Sequence, residues 1–343
     1  MKLIAPLYFK KFKCIASECT DSCCIGWNIP IDPSTLSRYR AVGGELGERL
    51  SDSIGITDGE AEMRMCKNGR CPFLLDSGLC ELICRLGDSY LSDICREHPR
   101  YYTVLGDTAY GGVGMSCEEA ARLILTEPVG VYGEFELEGR ESEECDGELY
   151  GVMLSLGRRV MDILSFEGGS LSNKLEALLD SCAEAQDEID GVGTTYENSL
   201  ISSHGFDFVS DFDALSERFL PLEYLSDELP SRIKAARVGQ GKLDGGKKDY
   251  LLRVTGYLAN RYLPRVAEEG CALGVAAMIL SSAALVALLL SRLDDDSLSE
   301  AVKAVKLFSR EIEYCEENVD ALIYDSDPEE LARAALGVIR AIE

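Results

Sequence analysis

Ten of the fourteen cysteines in this 343-residue chain fall between Cys14 and Cys117. They come in three sets. Cys14, Cys19 and the adjacent pair Cys23 and Cys24 stand in FKCIASECTDSCCIGW. Cys71 and Cys80 bracket CPFLLDSGLC, with Cys84 just beyond, and Cys95 in DICREHPRYY is followed by Cys117 in GMSCEEAARLIL. Free thiols bring oxidation risk with little packing gain, so a group this dense is held by disulfides or by metal. The opening MKLIAPLYFKKFKC does not read as a secretory signal: its apolar run is short, Pro6 interrupts it, and lysines follow where a small-residue cleavage site would stand. That points to the cytoplasm, where thiols stay reduced, and a chain of this size needs no disulfide scaffold. Metal is the better reading.

The spacing then bears on which metal. No Cys-x2-Cys occurs; the intervals are x4, x3, zero, x8, x3 and x10, and the chain has only two histidines. Zinc ribbons rely on the tight Cys-x2-Cys turn to present two sulfurs to one tetrahedral ion. An iron–sulfur cube tolerates looser spacing, so iron–sulfur is favoured and all-cysteine zinc is the alternative. Adjacent Cys23 and Cys24 leave the backbone in different directions, so one of them suits a second site or none. The radical S-adenosylmethionine signature Cys-x3-Cys-x2-Cys is absent: Cys19-x3-Cys23 supplies only its first half.

The elements that must position these thiols are mainly α. The expectation is an irregular cysteine-rich metal-binding N-terminal part over residues 1–133, an acidic linker at 134–149, and an α-helical bundle over 150–343. Residues 1–13 read as a short amphipathic lead-in, and Cys14–Trp27 as loop and short turns. Asp32-Pro33 opens a helix over PSTLSRYRAV, since proline suits the first helical turn. Residues 43–62 read as connection with a short helix at ELGERLSD. Cys71–Leu75 with Gly78 reads as an extended piece and a tight turn, followed by a helix over CELICRLG and another turn before Cys95. Residues 101–115 suggest a hairpin with a glycine-rich turn. Ser116 with Glu119 forms a capping box that would put Cys117 in the first turn of a helix. Residues 190–249 are less regular, with a hydrophilic loop at GQGKLDGGKKD. Four helices are expected at the end: 250–268, 271–292, 297–317 and 328–342, the last opened by Asp327-Pro328.

Hydrophobic content of 46% with 27% charged residues describes a folded chain. The formal charge of −26 repels nucleic acid and anionic lipid. The one mildly basic stretch, residues 1–40 with six Lys/Arg against three Asp/Glu, reads as a solvated face. Cys271–Leu290 is uncharged and long enough to cross a bilayer. Nearly half of it is alanine, glycine and serine, acids stand just beyond it at Asp294 to Asp296, and no basic cluster flanks it. It reads as a helix buried within a bundle, so neither nucleic acid nor membrane is an expected partner.

Four motifs carry a family resemblance. The first is Phe12, Cys14, Cys19, Cys23, Cys24 and Trp27; the second runs Cys71 to Leu74 and Gly78 to Cys80. The third runs from Leu86 through Asp93, Cys95 and Arg96 to Pro99 and Arg100, and the fourth from Ser116 through Cys117 to Leu123. Together they resemble the flagellin lysine-N-methylase family, itself related to a broader group of cysteine-cluster proteins. The resemblance covers roughly residues 8–125; beyond it only YLANRYL (257–263) and FSREIEY (308–314) are similar to family segments. It implies an enzyme moving methyl groups from S-adenosylmethionine to lysines of flagellin, with an iron–sulfur centre of the 4Fe-4S type on Cys14, Cys19, Cys23, Cys24, Cys71, Cys80, Cys95 and Cys117. Eight thiols suit two four-cysteine centres, or one centre and spare thiols. Cys84 falls where a non-ligand is expected, and Cys66, Cys145, Cys182, Cys271 and Cys315 read as small apolar residues.

Outside the cysteines the candidates are weaker. Gly106, Gly111, Gly112 and Gly114 could form a cofactor loop, but no G-x-G-x-x-G stands between a strand and a helix, so a hairpin turn is preferred. Tyr101, Tyr102 and Tyr110 are candidates for a lysine channel, with packing the plainer reading. His98 follows Cys95 closely enough to be considered as a ligand, Trp27 as a cover for the metal, and Arg96 and Arg100 as partners for a cluster's charge or a cofactor carboxylate. The alternatives to the methylase are a non-catalytic cysteine-cluster protein serving as an interaction or assembly factor, and an electron-transfer module.

Overall fold

Side-chain alternation decides the fate of the first residues. In the computed structural model Lys2–Pro6 is a strand, not an amphipathic lead-in, with Leu3 and Ala5 buried on one face. It pairs parallel with Thr108–Val113, setting Leu3 beside Ala109, and antiparallel with Tyr132–Glu136, setting Leu3 beside Phe135. Arg100–Leu105 completes the four strands at the far edge, beyond Thr108–Val113. The expected hairpin therefore forms, but its turn is Gly106-Asp107 alone, with Gly106 at φ +64°; Gly111 and Gly112 lie within the strand. The acidic stretch begins in the strand Tyr132–Glu136, where Lys2 reaches Glu134 at 2.7 Å and Lys10 lies 4.7 Å from the centre of the Phe135 ring.

The structure describes residues 1–27, 29–57, 59–192, 206–237, 241–325 and 327–343. They form two units. Met1–Phe12, Tyr102–Ser116 and Ala120–Glu343 make one; Lys13–Tyr101 with Cys117–Glu119 make the other. The larger unit holds the sheet and most of the helices, so the protein is mainly helical with some sheet.

At the centre of the larger unit lies Ala272–Ser291. Its mean hydropathy of 2.5 would suit a bilayer, yet 94% of that stretch is buried inside the protein. A helix that is apolar all round needs neighbours all round. Leu171–Asp190, Gly246–Tyr262, Leu298–Phe308, Glu316–Tyr324 and Pro328–Ile342 supply them. Small residues permit the close approach: a Cβ on Gly274 would sit 2.5 Å from the Ile323 carbonyl oxygen. The expected final helix matches, with Asp327 accepting from Glu329 and Glu330 N–H at 3.1 Å. Two of the expected helices divide. The 250–268 stretch becomes Gly246–Tyr262 and Arg265–Glu269 around Pro264, and 297–317 becomes Leu298–Phe308, a π turn at Ser309–Glu313, and Glu316–Tyr324. Phe208–Phe219 and Glu228–Ala236 bring helix to the region read as less regular; the expected loop at GQGKLDGGKKD lies partly outside the described residues.

The smaller unit is built from short elements. The helix Pro33–Arg40 is capped by Asp32, whose Oδ1 accepts from Thr35 N–H at 2.9 Å. Gly44–Ser53 follows, then the pair Ile54–Thr57 and Glu60–Met63, and the helices Glu81–Leu86 and Asp93–Glu97. Its core is Ile29, Ile31, Tyr39, Leu46, Leu50 and Phe73 with their neighbours. The Glu81 carboxylate clasps the parts together: Arg49 reaches both of its oxygens, at 2.9 and 2.8 Å, and Arg85 donates at 3.1 Å.

Candidate functional site

Backbone pairing inside the smaller unit gathers half of the predicted thiols. Cys71 N–H donates to the Cys24 carbonyl at 2.8 Å, and Gly26 N–H to the Gly69 carbonyl at 2.9 Å, so the second set of cysteines is laid along the first. Leu74 then bridges to Cys80 around the turn at Gly78, which brings Cys80 back over Cys71. Cys95 arrives on Asp93–Glu97, whose first N–H donates to the free oxygen of the Asp32 cap, Oδ2, at 3.0 Å. Cys71 is buried in the core and Cys24, Cys80 and Cys95 pack against it, half-buried.

The electrostatics follow from that crowding. Burial pushes the Cys71 thiol up to about 12 and the Cys95 thiol up to about 11, and raises Cys80 as well; Cys24 and Cys80 add repulsion at Cys95, and Cys24, Cys80 and Cys95 at Cys71. Cys24 goes the other way, down to about 7: the Cys23 thiol donates to it, and Ser22 and the Arg70 charge outweigh its burial. Cys23, as the donor, is raised. Tyr39, 3% exposed on the inner face of Pro33–Arg40, has its phenol raised by burial and by facing Cys95, Cys80 and Cys71. Tyr39 escaped the sequence reading. Its signal was the inward i, i+4 pair with Thr35 on the first helix.

The remaining predicted ligands are placed otherwise. Cys14 is exposed and close enough to Cys23 to raise it. Cys19 Sγ donates to Glu118 Oε2 at 3.6 Å, and Thr20 adds its N–H and hydroxyl to the same oxygen at 3.0 and 2.5 Å. Cys117 precedes Glu118, at the start of Glu118–Thr126, so it stands before the first turn; the capping box is not closed, because Ser116 Oγ is buried without a hydrogen-bond partner. Cys66 and Cys84 are exposed, Cys182 is buried, and Cys145, Cys271 and Cys315 are intermediate; all fourteen cysteines are free thiols.

Burial brings His98 down to about 4, so it is a neutral imidazole. Arg96 pairs with Asp93 of its own helix and lies 3.8 Å from Glu97, which is the surface ion pair. Tyr102 packs edge-on against Phe9 and under Arg140, while Tyr110 shares a 2.9 Å hydrogen bond with Tyr150.

Whether the thiols suit a metal can be judged from their chemistry. Sulfurs over an apolar floor are the donors a soft ion or an iron–sulfur cluster takes, and ionised together they repel unless a cation lies among them. Their present arrangement is not a finished cage. Among the described residues no three His, Cys, Asp or Glu side chains stand in metal-holding geometry, so Cys24, Cys71, Cys80 and Cys95 would have to turn toward a common centre.

No family model and no solved structure matches the chain. Among curated proteins, flagellar biosynthetic protein FliU of Salmonella muenchen is 28% identical over 130 residues, which covers 36% of this chain and 76% of that protein. The lysine-N-methylase of Salmonella typhimurium is also 28% identical over 130 residues, 36% of this chain but 32% of that enzyme. The lysine-N-methylase of Salmonella choleraesuis gives the same figures. The chain is similar to lysine-N-methylases over about a third of its length. It spans about a third of theirs.

Proposed function

We propose that the chain is a protein-lysine N-methyltransferase that uses S-adenosylmethionine to methylate flagellin, with an iron–sulfur centre in its cysteine-rich unit. The observation that carries this reading is the likeness to lysine-N-methylases, taken with the four thiols grouped on one core. Cys24, Cys71, Cys80 and Cys95 would hold the centre, and Cys14, Cys19, Cys23 and Cys117 would serve a second one or remain spare; zinc is the alternative metal. When bound, the centre supplies the positive charge that lets adjacent thiolates coexist. The chain's own residues do the rest at that end. Arg49 and Glu81 fix the loop carrying Cys71 and Cys80, and Asp32 fixes the helix carrying Cys95.

Methyl transfer makes its own demands. A lysine ammonium has no lone pair, so its proton must leave to solvent or to a base, and burial favours the neutral amine. The nitrogen then forms the new N–C bond as the sulfonium S–C bond breaks, with sulfur keeping that electron pair. The amine must lie in line with the breaking bond, at contact distance. Incubating purified protein with S-adenosylmethionine and flagellin should add single methylene increments to lysine masses. Unmodified flagellin from fully metal-loaded protein would overturn the assignment.

A second reading has one observation in its favour. The match covers 76% of the flagellar biosynthetic protein but 32% of the methylases. That fits a non-catalytic cysteine-cluster protein whose metal shapes a surface for an assembly partner. Flagellin retained by the protein but never modified would select it.

A further inference from the structure

The π turn Ser309–Glu313 directs two carboxylates inward from one short segment, and Glu311 and Glu313 are each 5% exposed. Glu311 is used on both oxygens. Its Oε2 accepts from Leu225 N–H at 2.7 Å and Ser226 N–H at 3.4 Å, and its Oε1 from the Ser226 hydroxyl at 2.7 Å. Glu313 is used on one. Its Oε1 accepts from the Tyr257 and Tyr262 hydroxyls, each at 3.0 Å, and faces Arg261 Nε at 3.6 Å, while Arg261 Nη1 donates to the Tyr257 hydroxyl at 2.8 Å. Its Oε2 is buried with no hydrogen-bond partner.

A desolvated carboxylate oxygen without a donor costs more than the same oxygen left in water, so it calls for a partner from outside the fold. The π turn that carries it is a feature frequent at functional sites. The Glu313 side chain is itself fully enclosed, while Tyr314, the next residue, is 38% exposed and the Arg261 side chain keeps 17% of its surface. What the oxygen lacks is a donor. The three groups around its sister oxygen are two phenols and a guanidinium, and Oε2 is left able to accept an N–H from a ligand amine.

We propose that Glu313, with Tyr257 and Tyr262, forms a binding site for a primary amine of the lysine side-chain type, with Oε2 accepting the amine N–H. The proposal rests on the methylase reading for the identity of the amine, and deepens it by giving the substrate nitrogen a place. The carboxylate would orient the amine; the tyrosines hold the carboxylate.

The test is a nuclear magnetic resonance titration of the full chain carrying isotope-labelled tyrosines with n-butylamine, without methyl donor or flagellin. The Tyr257 and Tyr262 ring signals should shift saturably while Tyr110 and Tyr150 stay still, n-butanol should produce no such shift, and Glu313→Gln should weaken the amine at least tenfold. Absence of saturable shifts in the wild type, equal shifts with n-butanol, or wild-type affinity in E313Q would overturn the site. Should E313Q fail to fold, the wild-type preference for amine over alcohol decides alone. Amine binding without flagellin methylation removes the methylase reading and leaves the site; flagellin methylation by E313Q with an unchanged KM removes the site and leaves the methylase.

Discussion

Thiols that sit together in an apolar core hold their protons, and a metal must displace those protons to bind. With Cys71 pushed up to about 12 and Cys95 up to about 11, the metal-free protein is protonated there at neutral pH, while Cys24, down to about 7, is the first to ionise. Metal affinity should therefore rise with pH, by up to about tenfold per unit for each proton released. Cobalt titrations at pH 6, 7 and 8 measure it, and an affinity that is flat or falls with pH contradicts metal capture by these groups. Replacement tells the same residues apart. Cys71→Ser, Cys80→Ser or Cys95→Ser should abolish bound metal and lower the melting temperature, whereas Cys84→Ser, exposed on its helix, should leave metal content unchanged. Equal loss from both sets, by elemental analysis, would refute the division.

Among the elements, Asp32 and Gly274 matter beyond their size. Burial opposes the Asp32 charge, yet hydrogen bonds from Ser34, Thr35 and Asp93 outweigh it and hold the carboxyl well below the usual range. A depressed carboxyl stabilises the fold fully above the unfolded value of about 4, and that contribution fades as pH falls toward the folded one. Asp32→Ala should cost about 1 kcal/mol through the lost cap alone, more through the freed Asp93 end, and the deficit should shrink in acid denaturation runs. At the other unit, a side chain on Gly274 meets the Ile323 carbonyl at 2.5 Å. Gly274→Val should destabilise by roughly 1–3 kcal/mol, read from denaturant midpoints; wild-type stability would mean the two helices separate at little cost.

For the whole molecule, the formal charge of −26 is a field that opposes compaction. Raising salt from roughly 20 to 300 mM shortens the screening length severalfold and should raise the melting temperature by a few degrees. A melting temperature that falls would show that ion pairs such as Arg265 with Asp320, at 2.6 Å, contribute more than the net repulsion costs.

Much of this was written locally. Asp32-Pro33 and Asp327-Pro328 open helices because a capping acid and a pre-set φ act within one turn. The uncharged run at Ala272–Ser291 had to be buried because no face of it could meet water. The density of cysteines announced a site for the same reason: each thiol is a costly choice wherever it stands. What the order of residues could not say is which sets meet: the turn at Gly78 joins Cys71 and Cys80 locally, but Cys24 meets Cys71, and the Cys95 helix meets Asp32, through hydrogen bonds between distant segments. The strand at Lys2–Pro6 was hidden likewise, since its partners lie far along the chain. Glu313 was hidden as well, since the hydroxyls that hold it, on Tyr257 and Tyr262, come from a helix some fifty residues earlier in the chain.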